Sequence, residues 1–326
     1  MGDSSRSDCE TMDISVLICT FNRCQSLSKT LDSIASQVMQ PSVTWEAVVI
    51  DNNSTDGTRE LVESYCRSSP ALFRYVFEPQ QGLSRARNAG IRAAGGDIIV
   101  FTDDDVIAES TWLEKLTAPL RTNGWGGGGG RVVPPVDLKL PAWLTVGGDM
   151  DLVGALLPIF DLGDRAGEMK RPPYGANMAF RKSMFEKYGL FRVDLGHCGS
   201  KLLSGEDIDF GNRLISAGER LHYEPSAVVH HPVPEERLSK SYFRAWWFDY
   251  GRTRIIERGE RPSVFGVPRR FFSLASLALR FLPLRVIRWV FTLDARRRFY
   301  YECEIRQTLG EITETCTRSL KSVDVA

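Results

Sequence analysis

The sequence predicts an α/β protein, a mostly parallel sheet flanked by helices and followed by a helical, basic and amphipathic C-terminal extension. Three observations carry this expectation. Short β-branched apolar runs alternate with stretches of helical period, and polar clusters stand where the runs end. Beyond about residue 233 the pattern gives way to arginines interleaved with aromatic side chains. The chain therefore divides into a polar tail (1–12), an α/β domain (13–232) and the extension (233–326).

Ile14 to Cys19 reads as the first strand, and Thr20-Phe21-Asn22-Arg23 turns out of it. Leu27, Leu31, Ile34 and Val38 then recur at helical spacing until Pro41 stops them. Trp45 to Ile50 is a second strand, ending in the loop Asp51 to Thr58, which is dense in turn formers and helix-capping side chains. Phe73 to Phe77 is a third, Gly82 to Gly90 opens a helix, and Ile98 to Phe101 is a fourth strand that runs into Asp103-Asp104-Asp105. Such alternation implies right-handed crossovers and a parallel sheet, in which ligands bind beyond the carboxyl ends of the strands. The loops at Thr20, Asp51 and Asp103 should therefore share one rim.

Three consecutive carboxylates repel one another and raise each other's pKa. A hard divalent ion such as Mg2+ or Mn2+ resolves the conflict with carboxylate and phosphate oxygens. The plain alternative is a solvated acidic turn. Asp51 is placed to accept hydrogen bonds from a ribose or a base. Arg85 and Arg87 stand near a helix start, where cationic side chains and free N–H groups favour a phosphate; otherwise they are exposed helix arginines. No phosphate-binding Gly-rich signature follows the first strand, and the run Gly126 to Gly130 reads as tight backbone packing. Pro134 to Pro173 reads as a long surface excursion of the kind that forms lids and binding loops.

A second acidic cluster, Gly205-Glu206-Asp207-Ile208-Asp209, opens a helix that ends at Gly218. A helix N-terminus favours a carboxylate, so Asp207 can take a proton from a hydroxyl, unless the cluster is only a cap. Upstream, Asn177 in the strand-like Tyr174 to Phe180 could reach the same cavity. Downstream, a strand ends in His230-His231, and a neutral imidazole can complete a carboxylate metal site.

The 326 residues are 43% hydrophobic and 25% charged, with zero net charge, which is ordinary globular composition and gives no chain-wide case for a nucleic-acid partner. Seven scattered cysteines look like reduced thiols. Met1 to Asp13 lacks an apolar signal segment, so the expected location is cytoplasmic.

Taken together, the segments Val16 to Arg23, Asp51 to Thr58, Gly82 to Gly90, Phe101 to Val106, Gly175 to Phe180, Gly205 to Phe210 and Ala227 to Pro232 resemble, in order, a family 2 glycosyltransferase of the GT-A (Rossmann-like) fold. The resemblance covers roughly residues 13 to 232. It implies inverting transfer from a nucleotide-sugar donor with Mn2+ or Mg2+, onto a saccharide or lipid-linked acceptor in cell-envelope polysaccharide or glycolipid synthesis. On that resemblance Thr20, Asn22, Asp51, Asn53, Arg85, Asn88, Asp103 and Asp104 meet the donor, and Asp103, Asp105 and His231 meet the metal. Whether Asp103 or Asp105 is the main acidic ligand stays open, with Asp105 favoured. Asp207 is the base that activates the acceptor, with Asn177 and Glu206 on the acceptor side.

From Arg237 to Arg298 there are fifteen Lys or Arg against four acids. Arg280, Arg285 and Arg288 share one arc of a helix interrupted at Pro283, with apolar residues opposite. Three arginines exclude a spanning helix, whereas lying on an anionic membrane surface, peripherally on its inner face, fits. Packing on protein is the alternative. Two rival functions share some of these features: a haloacid-dehalogenase-like phosphatase, which also puts Asp-x-Asp after an apolar strand, and a non-catalytic sugar- or lipid-binding protein on a transferase scaffold.

Overall fold

The computed structural model describes residues 12–69, 72–122, 124–135, 138–144, 152, 157, 159–199, 202–258 and 274–321. Its first half repeats strand and helix: β1 Ile14–Thr20, α1 Cys24–Ala35, β2 Trp45–Asp51, α2 Thr58–Ser68, β3 Phe73–Phe77, α3 Leu83–Ala93 and β4 Ile98–Asp103. These strands are nearly continuous apolar runs because both faces of the sheet are covered; Val16, Leu17, Ile18, Val48, Val49, Ile99 and Val100 are all fully or almost fully buried. Leu27, Leu31 and Ile34 are the buried stripe of α1 that covers one face.

The four strands pair in parallel in the order β3-β2-β1-β4. Register places Thr20 opposite Asp51 and Cys19 opposite Asp103, so three strand ends stand level. The shared rim expected from the loops follows from that register.

The remainder of the sheet is mixed. After β5 Ile107–Ala108 and α4 Trp112–Thr122 come β6 Gly127–Val133, β7 Gly167–Met169, β8 Met178–Arg181, α5 Lys182–Tyr188, α6 Glu206–Ser216 and β9 Leu221–His230. Strand β8 inserts antiparallel between β4 and β6, and β6 pairs in parallel with β9. The glycine run is the reason these neighbours can lie so close. A Cβ at Gly128 or Gly130 would overlap the carbonyl oxygen of His222 or Ala227. The strand expected from Tyr174 begins later, because Gly175–Asn177 forms a single 3-10 turn before β8.

Helix α6 is anchored by aromatic packing. Phe210 stacks on Phe185 with centroids 4.4 Å apart and meets Phe180 edge-on at 5.0 Å. Those contacts fix the α6 N-terminus, and with it Asp207, over the carboxyl end of the sheet.

The extension consists of α7 Lys240–Arg258, a π-helical turn Leu277–Phe281 leading into α8 Leu282–Phe291, and α9 Ala295–Lys321. Pro283 sits in the first turn of α8, where its missing N–H costs least, so the interruption expected there is taken up by the preceding π turn. Phe243 and Trp246 of α7 and Phe299 of α9 form a second core with Leu144, Leu152 and Leu157 from the excursion. Much of that excursion lies outside the described residues, as does the stretch 259–273 of the basic segment. Four of the counted arginines are neutralised by acids just beyond the counted stretch: Arg244 by Glu302 at 2.6 Å, Arg252 by Glu314 at 3.2 Å, Arg254 by Glu311 at 3.2 Å and Arg285 by Glu304 at 3.4 Å. Among the described residues no helix is long and apolar enough to cross a membrane.

Candidate active site

A cavity of about 930 Å³ opens at the level strand ends and reaches α7. Asp103, Asp104 and Asp105 line it together with His231, and so do Glu206 and Asp207. The two acidic clusters, about a hundred residues apart in the chain, thus face one space.

His231 Nε2 lies 3.5 Å from Asp103 Oδ2 and 3.3 Å from Asp105 Oδ1, while its Nδ1 is 2.8 Å from the Pro232 carbonyl oxygen. A carbonyl can only accept, so Nδ1 carries a hydrogen and Nε2 is the nitrogen turned to the carboxylates. Burial pushes the imidazole pKa down, but the charges and hydrogen bonding of the two aspartates outweigh it and raise it. Ligand atoms of Asp103, Asp105 and His231 all lie within 4.8 Å of one another. This oxygen-rich set with one imidazole fits Mn2+ or Mg2+, the cation taking the place of the Nε2 proton.

Arg23 was not singled out from the sequence, yet it completes this wall. Its guanidinium donates to Asp105 Oδ2 at 2.6 Å and to Asp104 at 3.3 Å, which holds Asp105 with Oδ1 turned to His231. Burial raises the Asp104 carboxyl to about 7, with Asp105 and Asp103 adding to it against the pull of Arg23. Asp103 goes the other way: burial pushes it up, but His231 and Arg87 hold it at about 2.

Of the two helix arginines, Arg87 and not Arg85 lines the cavity. Only 4% exposed, it lies between the rings of Phe101 and Phe191, forms a close ion pair with Glu206, and reaches to 3.8 Å from Asp103. Glu206 is therefore tied to the Asp103 wall through Arg87. Burial raises its carboxyl to about 7 in spite of that partner. Arg85 hydrogen-bonds Gln80 away from the cavity.

Asp207 is the second residue of α6, whose entry is made by Gly205 in the left-handed region at φ 96°. Its Oδ2 accepts from the Gly175 N–H at 2.7 Å and its Oδ1 from the Ile208 N–H at 2.8 Å. Two donors thus fix the carboxylate against the cavity.

Several expected contact residues have their polar atoms committed inside the protein. Asp51 accepts from the Tyr75 hydroxyl at 2.8 Å and the Ser54 N–H at 2.9 Å, and is 2% exposed. Asn88 brackets the backbone of Phe191, and Asn177 bridges the Arg131 and Ala227 carbonyls while accepting from Trp112. None of the three lines the cavity. Asn22 ties the first two loops together through Ser54 and Thr55, and Asn53 is exposed at φ 66°. Thr20 does line the cavity, together with Asn52, which sequence reasoning passed over. A further wall came from the extension: Tyr242, Trp246, Tyr250, Thr253 and Glu257 of α7. Their spacing of four, four, three and four residues is one helical stripe, a signal present in the sequence.

Residues 15–189 match the model of glycosyl transferase family 2. The chain belongs to that family. It is a glycosyltransferase, 31% identical over 245 residues to the succinoglycan biosynthesis protein ExoM of Rhizobium meliloti, covering 75% of this chain and 74% of that one. It is 27% identical over 259 residues to a glucosyl-dolichyl phosphate glucuronosyltransferase of Haloferax volcanii, covering 76% and 78%. The fold matches the mannosyltransferase PcManGT of Pyrobaculum calidifontis, solved with GDP-Man and Mn2+, with a TM-score of 0.53 at 19% identity over 94% of this chain and 75% of that one. The GT-A expectation is thereby met, and the phosphatase alternative falls with the family assignment.

Proposed function

We propose that this glycosyltransferase moves a sugar, with inversion, from a nucleoside-diphosphate sugar to an acceptor hydroxyl in cell-envelope polysaccharide or glycolipid synthesis. The observation that carries the reading is that the Asp103, Asp105 and His231 cluster and Asp207 line one cavity. The relatives' names, succinoglycan biosynthesis and transfer to a dolichyl phosphate sugar, favour the same substrate class.

Asp103, Asp105 and His231 would hold a divalent cation, which when bound supplies Lewis-acid stabilisation to the departing diphosphate. Arg87 adds positive charge beside Asp103, and Arg237, which lines the same cavity and makes no ion pair among the described residues, adds more. Asp207 accepts the acceptor's hydroxyl proton as its oxygen bonds to the anomeric carbon and the carbon–diphosphate bond breaks. Attack from the face opposite the leaving group inverts that carbon. The test is a thermal-shift and hydrolysis screen of nucleotide sugars with Mn2+ or Mg2+. One donor should raise the melting temperature only with metal; no stabilisation by any donor would contradict the reading.

A second observation bears on location. Leu279, Ile287, Val290, Phe291 and Leu293 are exposed on and beside α8, Leu293 completely, with Arg280 and Arg288 among them. We read this surface as lying in the headgroup plane of an anionic membrane, on its inner face, which would bring a lipid-linked acceptor to the cavity. Flotation with anionic vesicles should be lost when Ile287 and Phe291 are replaced by Glu; unchanged flotation would remove the idea.

A further inference from the structure

The stripe on α7 is more than a filler of the second core. Trp246 is 5% exposed and stacks on Tyr250, with centroids 4.9 Å apart and planes 12° from parallel, so the Tyr250 ring is held rigid from behind. Trp247 meets the same ring edge-on at 5.7 Å. Tyr242 and Tyr250 are both partly exposed along the cavity, and neither hydroxyl finds a hydrogen-bond partner among the described residues. One turn further on, Thr253 lines the cavity, followed by Glu257.

Glu257 is unusual in this molecule. It lies against Gly205, at the entry to the helix that carries Asp207, yet its carboxylate makes no hydrogen bond or ion pair with any described residue. A half-buried carboxylate that no protein donor reaches keeps its acceptor positions open to solvent or to a ligand. A ligand bearing several hydroxyl groups would supply donors to them. Burial and Asp209 act on its carboxyl first, then Arg192 and Arg254, then Asp207; both arginines are already paired, Arg192 with Asp194 and Asp209 and Arg254 with Glu311. An anionic ligand would be repelled at this end of the cavity by Glu257 and Asp207, which both line it, whereas a neutral one would not.

Rigid aromatic faces, free phenol hydroxyls and an unpartnered carboxylate, all on one helical stripe beside the residue that takes the proton, are the chemistry of pyranose recognition. Sugar C–H faces pack on aromatic rings while their hydroxyls donate to carboxylates. We infer that the α7 stripe Tyr242, Trp246, Tyr250 and Glu257 is the acceptor subsite, and that it takes a neutral pyranose. This inference rests on the transferase reading above and names its acceptor class. The subsite is supplied by the extension and not by the residues that match the family model, which end at 189.

The test uses the full-length protein loaded with Mn2+ and the donor found in the screen. Octyl glucoside, octyl galactoside and octyl mannoside serve as neutral probes and octyl glucuronide as the anionic one. Saturation-transfer NMR reads their binding. At least one neutral probe should bind, and the glucuronide should bind at least tenfold more weakly. Glu257→Gln, which is nearly isosteric, and Tyr250→Ala should each weaken the neutral probe by tenfold or more, while Tyr250→Phe loses only the hydroxyl and weakens it less. Donor-induced thermal shift is read on every variant, so loss of fold or of donor binding is told apart from loss of the acceptor subsite. Absence of binding by all neutral probes, or equal binding by wild type and Glu257→Gln, would overturn the inference while leaving the donor reading intact. Failure of the donor shift in the wild type would instead overturn the transferase reading on which it rests.

Discussion

The wall built by β1, β2 and β4 and the wall built by α7 meet in one cavity but are specified by different physics. Strand register sets the first: Thr20 pairs with Asp51, next to Asn52, and Cys19 pairs with Asp103, because hydrogen-bonded pairing leaves them no alternative. Side-chain packing sets the second. Helix α7 is held by the Phe243, Trp246 and Phe299 core and by arginine–glutamate pairs to α9. A backbone ladder tolerates little change at the strand ends, whereas a packed helix can exchange its cavity-facing stripe without disturbing the sheet. Chemistry common to many substrates belongs on the first wall, and choice among acceptors on the second.

That contrast can be broken at several points. Apart from loss of the proton acceptor itself, the largest effect should come from the metal ligands. Asp105→Asn should cut transfer by roughly 10²–10³-fold, the size expected when several kcal/mol of charge stabilisation is removed, and should abolish the Mn2+-dependent donor shift. The Arg87–Glu206 pair comes next. Arg87→Met leaves Glu206 buried without its partner and should cost about 3–5 kcal/mol in urea unfolding, while adding Glu206→Leu should recover most of that loss. Asn177→Ala should cost about 1–3 kcal/mol for each carbonyl or indole N–H left unsatisfied, without changing acceptor affinity relative to donor affinity. An acceptor-specific defect in that variant would return Asn177 to the acceptor side.

The smallest effect is the pH dependence of the metal-free protein. Asp104 and Glu206, both raised to about 7, favour the folded state below the ordinary carboxyl range and lose that contribution as pH rises to 7. His231, also raised, contributes below its ordinary value and loses the contribution as pH rises through its folded value. Asp103, held at about 2, acts in the opposite sense but only in strong acid. Between pH 5 and 8 the melting temperature without metal should therefore fall, by roughly 2–4 °C for each kcal/mol lost. Stabilisation by Mn2+ should be greater at pH 8 than at pH 5.5, since the cation displaces protons.

How much of this was legible in the sequence follows the same division. Strands β1 to β4 are where their β-branched runs put them, and Asp103, Asp105, Asp207 and His231 line one cavity because each stands within two residues of the end or start of an element. The partners of the asparagines were not legible, for a physical reason. Asn88 and Asn177 are hydrogen-bonding hubs for neighbouring backbone, and a sequence does not reveal which way a polar side chain turns. Asp51 follows a strand, as the reading of it required, and its carboxylate also accepts from Tyr75 on the adjacent strand, a contact that sequence alone does not show. The aromatic stripe of α7 was visible as spacing, yet its meaning depended on the 3-D position of α6, which depends on packing between Phe185 and Phe210.

The most direct measurement is on Asp207→Asn, a change that keeps size and shape and removes only the ability to take a proton. Transfer should fall by about 10²–10⁴-fold, the usual contribution of a positioned general base, with Mn2+-dependent donor binding within twofold of wild type. Transfer at the wild-type rate, or a parallel loss of donor and metal binding, would contradict a cavity in which one acidic group holds the cation and the other takes the proton.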